Sequence, residues 1–220
     1  MGLIDQSMSL LLIQAFMTVN KGGSMKKILS VIISGLVATS VMAADMKLPE
    51  PDKTNTTTLI QALENRHSDR VFSDKEIDDQ TLSTILWAAY GVNREDGKRT
   101  IPTAMDKKDL NVYVFNKKGI WLYDANSNTL KQQSEENRLD LFQMQDYMKP
   151  VSTVLVYTGS TEDYAIMHAG SAYQNVELYA VANNMASIVR GFYDREKVPQ
   201  VLGLPPGQRV IVSQAIGWKE

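Results

Sequence analysis

Residues 66–72 read Arg66-His67-Ser68-Asp69-Arg70-Val71-Phe72, the densest polar cluster in the chain, placed after a short helical pattern and closed by an apolar pair. Two guanidiniums and a hydroxyl so close together can grip a phosphate and a polyol, because each guanidinium offers a planar fork of donors. The plainer reading is a solvated helix end whose cations face the negative pole of the helix dipole. The cluster alone leaves both readings open, so its surroundings have to weigh between them.

Upstream of it, residues 58–65 place Leu59, Ile60 and Leu63 at helical spacing. Downstream, residues 78–90 repeat the pattern with Leu82, Ile85, Leu86 and Ala89; Asp78 or Asp79 is suited to cap this helix and Gly91 to end it. Leu110 to Phe115 alternates apolar and polar residues, Asn116 to Gly119 turns, and Ile120 to Tyr123 returns, which is a hairpin. Residues 135–148 read as a helix closed by Pro150, and residues 151–157 as a buried strand. The longest helical pattern runs over 164–189, with Ala169, Gly170, Ser171 and Ala172 near its start permitting close burial against another helix. Asp194 caps a short helix, 203–207 turns, and 210–216 is a closing strand. The order of elements is that of one α+β domain.

Composition narrows the chemistry. With Lys+Arg 23 against Asp+Glu 25 there is no basic surplus for a phosphate backbone, so nucleic acid is not an expected partner. With Cys 0, thiolate zinc sites, iron–sulfur clusters and a cysteine nucleophile are excluded, and His 2 leaves no material for a multi-histidine metal centre. A hydroxyl or carboxylate catalyst, an organic cofactor or a pure binding function are what is left.

The front of the chain carries an address. From Met25 a basic start, Lys26-Lys27, leads into an apolar run over 28–42 and then Ala43-Ala44-Asp45, the three parts of a secretory signal peptide. The run is shorter than the roughly 20 apolar residues of a spanning helix, so cleavage near Ala43 and a periplasmic or secreted product with no stable membrane anchor are expected. This divides the chain into an upstream extension at 1–24, a signal peptide at 25–43, an extended leader at 44–57 that carries Pro49 and Pro51, and a domain at 58–220.

Four segments, in order, give the domain a family resemblance. Arg66, His67, Ser68, Arg70 and Phe72 match the N-terminal cofactor motif of the FMN-dependent nitroreductases. Pro102-Thr103-Ala104 stands where that family has Pro-Ser-Ala. Ala169-Gly170-Ser171-Ala172-Tyr173-Gln174-Asn175 resembles the opening of its long helix. Arg190-Gly191-Phe192, Asp194 and Leu202-Gly203-Leu204-Pro205 are similar to its later segments. Leu86-Trp87-Ala88-Ala89-Tyr90-Gly91, with Arg99 and Gly119-Ile120-Trp121-Leu122-Tyr123, looks most like the branch of azoline dehydrogenases, the SagB/ThcOx-like enzymes that oxidise thiazoline or oxazoline rings in modified peptides. Amphipathic packing accounts for Trp87 and Tyr90 as well.

The resemblance implies a nitroreductase-like fold, a mostly antiparallel sheet flanked by helices, in a homodimer with FMN at the interface. It implies that Arg66 and Ser68, with His67 beside them, hold the phosphate and ribityl chain, and that Arg70 lies near N1 and O2 of the ring, where a fixed cation favours the reduced flavin. The Gly191 amide, next to Arg190, would approach N5. Pro102, Thr103 and Ala104 would line the ring from the other subunit, and Lys219 is a further candidate for the phosphate. The expected activity is two-electron hydride transfer in a ping-pong cycle between a small-molecule donor and acceptor. The alternatives are an azoline dehydrogenase and an exported flavin-binding protein without turnover.

Overall fold

The computed structural model describes residues 44–161 and 163–220; the extension and signal peptide at 1–43 lie outside the described residues. Its centre is a seven-stranded sheet. In chain order the strands are β1 (Met46–Lys47), β2 (Asn111–Asn116), β3 (Gly119–Asp124), β4 (Thr129–Ser134), β5 (Thr153–Ser160), β6 (Met185–Arg190) and β7 (Gln208–Trp218). They lie in the order β1-β4-β3-β2-β5-β7-β6, and each pairing is antiparallel. Four helices accompany them among the described residues: α1 (Leu59–Asn65), α2 (Asp79–Tyr90), α3 (Asp163–Ala182) and α4 (Lys197–Val201).

Side chains alternate across the sheet as strand geometry requires. Val112 and Val114 of β2, with Leu155 and Tyr157 of β5, face a core roofed by Leu82, Ile85 and Leu86 of α2 and by Ala169, Ala172 and Val176 of α3. Tyr113 and Phe115, with Val154 and Val156, face a second core closed by Leu139, Phe142 and Met148 and by Val198 of α4. Phe142 meets Phe115 edge to face at 5.0 Å. The small residues of α3 therefore serve close packing within the chain: Ala165, Ala169 and Ala172 are fully buried, and α3 lies on α2.

The helix ends follow local chemistry. Thr58 and Gln61 form a reciprocal capping box on α1. The Asp78 carboxylate accepts the Thr81 amide at 2.8 Å to start α2. Gly91 ends that helix because a Cβ there would lie 2.3 Å from Trp87 Cδ1. Asp194 Oδ1 accepts the Glu196 and Lys197 amides at 3.2 and 2.9 Å in the turn that leads into α4, whose N-cap position is Glu196 rather than the expected Asp194.

Two expectations need correcting, and one helix keeps its apolar side chains out of the core. Residues 135–148 are not a helix but two 3-10 turns, Leu139–Leu141 and Asp146–Met148. Carbonyls that an α-helix would engage four residues on are taken elsewhere: Leu141 O accepts the Asp194 amide at 2.9 Å, and Phe142 O accepts Arg190 Nη1 at 3.0 Å. The long helix stops at Ala182, and residues 185–190 are strand β6. Asn184 turns the chain through a left-handed conformation, φ 53°, while Asn183 Nδ2 donates back to Tyr179 O and Asn55 Nδ2 reaches Ala182 O from the leader. Finally, the apolar residues of α1 do not enter the core: Leu59, Ile60 and Leu63 are 64%, 63% and 49% exposed, and only Ala62 is buried.

Candidate functional site

Residues 66–73 leave α1 through Arg66, whose extended backbone (ψ 123°) ends the helix. Two backbone bonds then fasten the segment to the sheet: the Asp69 amide donates to Ser187 O of β6 and the Ser73 amide to Trp218 O of β7, each at 2.9 Å. Phe72 drops into the second core between them. With Phe72 pinned inward, Ser68 and Arg70 are left on the surface, exposed.

Asp69 organises the charges around this loop. Its Oδ1 accepts the Val71 amide at 3.1 Å. Its Oδ2 lies 3.0 Å from Lys219 Nζ and 3.4 Å from His67 Nε2. Burial alone raises the Asp69 pKa, but the Lys219 ammonium, the Val71 amide and His67 outweigh it and hold the carboxyl below its usual value. Lys219 is thus gathered to the loop, by way of a carboxylate. Arg66 is gathered too: its Nη1 donates to Glu177 Oε2 of α3 at 2.8 Å, with Glu177 6% and Arg66 35% exposed. His67 is exposed and its Nδ1 lies 2.7 Å from Asn65 O.

The end of β6 joins this cluster through Tyr147, whose ring lies 5.9 Å from the Arg70 guanidinium and 5.4 Å from that of Arg190. Arg190 itself is 5% exposed and turns inward. Its Nη1 donates to Phe142 O and its Nη2 to Gln145 Oε1 at 2.6 Å, so it clamps the turn segment 139–148. Its Nε has no hydrogen-bond partner among the described residues. Gly191 is exposed, and a Cβ on it would meet only the flexible Arg195 guanidinium at 3.8 Å. Among the described residues nothing else comes within 4 Å of that position.

Pro102, Thr103 and Ala104 lie elsewhere. They enter a 3-10 turn, Ala104–Asp106, in which Met105 and Asp106 take positive φ values of 54° and 55°. What holds the turn is His168 of α3, 2% exposed. Its Nε2 accepts the Ala104 amide at 2.8 Å, and its Nδ1, which therefore carries the proton, donates to Asp109 Oδ1 at 2.8 Å. Arg66 contacts α3 at Glu177 and Ala104 contacts it at His168, nine residues apart. At a rise of about 1.5 Å per residue, the two attachment points are roughly 13 Å apart along the helix. One chain therefore brings Arg66, His67, Ser68, Arg70, Gly191 and Lys219 into one neighbourhood and holds the 102–104 turn apart from it.

Glu177, Tyr147 and the Asp109–His168 pair were not singled out from the sequence. A carboxylate inside the apolar run Val176-Glu177-Leu178 is the mark that identifies the first. For the other two the linear sequence holds no signal, since Tyr147 lies in a segment with helical periodicity and Asp109 and His168 meet only through the fold.

Comparison with known proteins completes the picture. The profile of the nitroreductase family matches residues 63–218. Among solved structures, the chain is similar to a presumed nitroreductase from Ralstonia eutropha JMP134, with 27% identity and TM-score 0.75 over 83% of this chain and 93% of that one. It shares its fold with a chain of the E. coli microcin synthetase McbBCD complex, at 17% identity and TM-score 0.61 over 79% of this chain and 78% of that one. A presumed nitroreductase from Desulfovibrio desulfuricans, solved in complex with FMN, shares the fold at 18% identity and TM-score 0.53 over 74% and 87% of the two chains. No match is found among the curated proteins.

Proposed function

The chain belongs to the nitroreductase family, and from that premise we propose that it is an FMN-dependent oxidoreductase, exported and homodimeric, with its site at the interface between two copies. The observation that carries this reading is the 66–70 loop: its backbone is fastened to β6 and β7 while Arg66 stays part-open and Ser68 and Arg70 face solvent beside an uncrowded Gly191. That donor set fits an anionic phosphate with a hydroxylated chain and an electron-accepting ring.

Bound FMN supplies two-electron transfer at N5 in two half-reactions, donor first and acceptor second. The chain does the rest. Arg66, its free donors steadied by Glu177, binds the phosphate with Ser68. Arg70, its guanidinium over Tyr147, supplies positive charge where the reduced ring accumulates negative charge. Gly191 allows close backbone approach. Asp69 and His168 orient the two loops. The distance between the two attachment points on α3 and the exposed apolar residues of α1 support a site completed by a second copy.

A narrower reading is an azoline dehydrogenase, which Leu86 to Gly91, Arg99 and Gly119 to Tyr123 resemble; the fold shared with a microcin synthetase chain is compatible with it. Incubation with a thiazoline peptide and oxygen, followed by mass spectrometry for loss of two hydrogens, separates this from reduction of nitroaromatic or quinone acceptors.

The test of the main reading is an absorbance spectrum of purified protein after incubation with FMN. A stoichiometric flavin spectrum is expected, and Arg70→Gln should keep most of the FMN while lowering its two-electron potential. About 30 mV corresponds to 1.4 kcal/mol in such a couple, so the loss of one partly screened charge is measurable. Protein that stays colourless in excess FMN overturns the assignment. Export is checked by sequencing the N-terminus of periplasmic material, with Ala44 expected first.

A further inference from the structure

We propose that Arg99 forms the base of a binding pocket for a small organic monocarboxylate, a site separate from the flavin loop. Arg99 follows the turn after α2, where it forms a β-bridge with Val92, and it is 7% exposed. Its Nε and Nη1 are buried with no hydrogen-bond partner among the described residues, and so is the Oη of Tyr90. The guanidinium lies over the Tyr90 ring, 5.0 Å from its centroid. An uncompensated buried cation is among the most expensive features a fold can retain, and buried polar groups in native proteins nearly always find partners. Three unsatisfied polar atoms in one place, beside a cavity, indicate where a ligand supplies the missing acceptors.

The cavity is there. Tyr90, Arg99, Leu110, Leu122, Tyr123 and Ala125 are among the residues that line a space of about 250 Å³, with Lys108, Asn111, Asp124 and Lys131 around it. Lys131 lies 3.1 Å from Asp124 and Lys108 3.8 Å from Asp106. Among the described residues Arg99 pairs with no carboxylate, and a single guanidinium matches a monoanion better than a phosphate dianion. The walls supplied by Leu110, Leu122 and Ala125 suit an apolar body behind the carboxylate. A cavity of about 150 Å³ is enough for benzene, so this one holds a short acid with its side chain. Tyr90 completes the recognition as a donor: burial raises its pKa more than the nearby Arg99 lowers it, so the phenol stays protonated. The guanidinium and the phenol are both donors, as the two oxygens of a carboxylate require.

The experiment is calorimetry and thermal unfolding on the purified protein, in parallel without and with added FMN, using butyrate, its neutral analogue butyramide and inorganic phosphate. Butyrate should bind one per chain and raise the Tm, butyramide should bind at least about tenfold more weakly, and phosphate should not compete. Arg99→Met, which fills similar volume without charge, should lose the butyrate response and, in anion-free buffer, unfold no earlier than wild type. Equal butyrate responses in wild type and Arg99→Met, tighter binding of phosphate, or displacement of butyrate by FMN would each overturn the assignment. If Arg99→Met does not fold, the butyrate and butyramide comparison on wild-type protein decides alone, and equal responses reject the pocket. The flavin reading can fail without affecting this result, because butyrate binding is read directly and in the absence of any electron donor.

Discussion

Arg66 combines a contact that the structure shows with a duty that the proposed function assigns, and a single substitution would confuse them. It pairs with Glu177, which is buried at 6% exposure, and in the proposed reading it also offers donors to an incoming phosphate. Arg66→Ala should therefore weaken FMN binding by about tenfold or more and also destabilise the fold by about 1–3 kcal/mol, because it leaves a buried acceptor unpaired. Adding Glu177→Ala should restore most of the stability, measured by urea unfolding, and none of the FMN affinity, measured by fluorescence titration. Asp69 gives a prediction in pH. Its folded pKa lies below the ordinary value, so its contribution is full above about pH 4 and is lost as pH falls through the lower folded value. Asp69→Asn should flatten the acid limb of the stability curve and leave the neutral region otherwise unchanged in slope, with thermal unfolding from pH 2 to 7 as the readout. The Arg66 to Phe72 motif was legible at this scale because chemistry and spacing coincide in a contiguous stretch. The inward turn of Arg190 was not, since its partners Phe142 and Gln145 lie 48 and 45 residues away.

At the scale of elements, sequence periodicity located α1, α2, the β2–β3 hairpin and β7, where apolar spacing and caps agree. It failed where one pattern served two structures. Residues 185–190 continue the apolar character of α3, yet they form β6, because Asn183-Asn184 breaks the helix and Ile188 and Val189 favour an extended chain. The strands β1 and β4 escaped notice because Thr129–Ser134 presents only Leu130 to the core and is otherwise polar. Asn184 is the hinge of that transition at φ 53°, a conformation that costs residues with a Cβ roughly 1–2 kcal/mol. Asn184→Gly should be neutral or slightly stabilising, whereas Asn184→Val should lower stability by about 1–2 kcal/mol. The comparison of urea midpoints for the two variants checks it; similar midpoints would show that the turn has no conformational preference.

The whole molecule presents an apolar surface that its own cores leave uncovered: Leu59, Ile60 and Leu63 on α1, and Ile166 and Met167 on α3, are 64%, 63%, 49%, 45% and 63% exposed. In a homodimer such residues are the ones to be covered, so light scattering should give twice the chain mass, and Ile60→Asp should shift it towards the monomer and weaken FMN binding at least about tenfold. A monomeric wild type with tight FMN binding would reject the shared site. The expected antiparallel sheet with flanking helices was legible from the ordered set of motifs, but the separation of the 66–70 loop from the 102–104 turn arises only from where each meets α3. Finally, Trp218 and Lys219 fasten the 66–73 segment from about 145 residues downstream. During synthesis the ribosome finishes the loop long before it makes the residues that secure it, and β5 and β6 wait for the strand that lies between them. Contacts of such long range form late. A nascent chain therefore closes this loop, and the gap between β5 and β6, only after β7 has been made, a sequence of events compatible with the export proposed above.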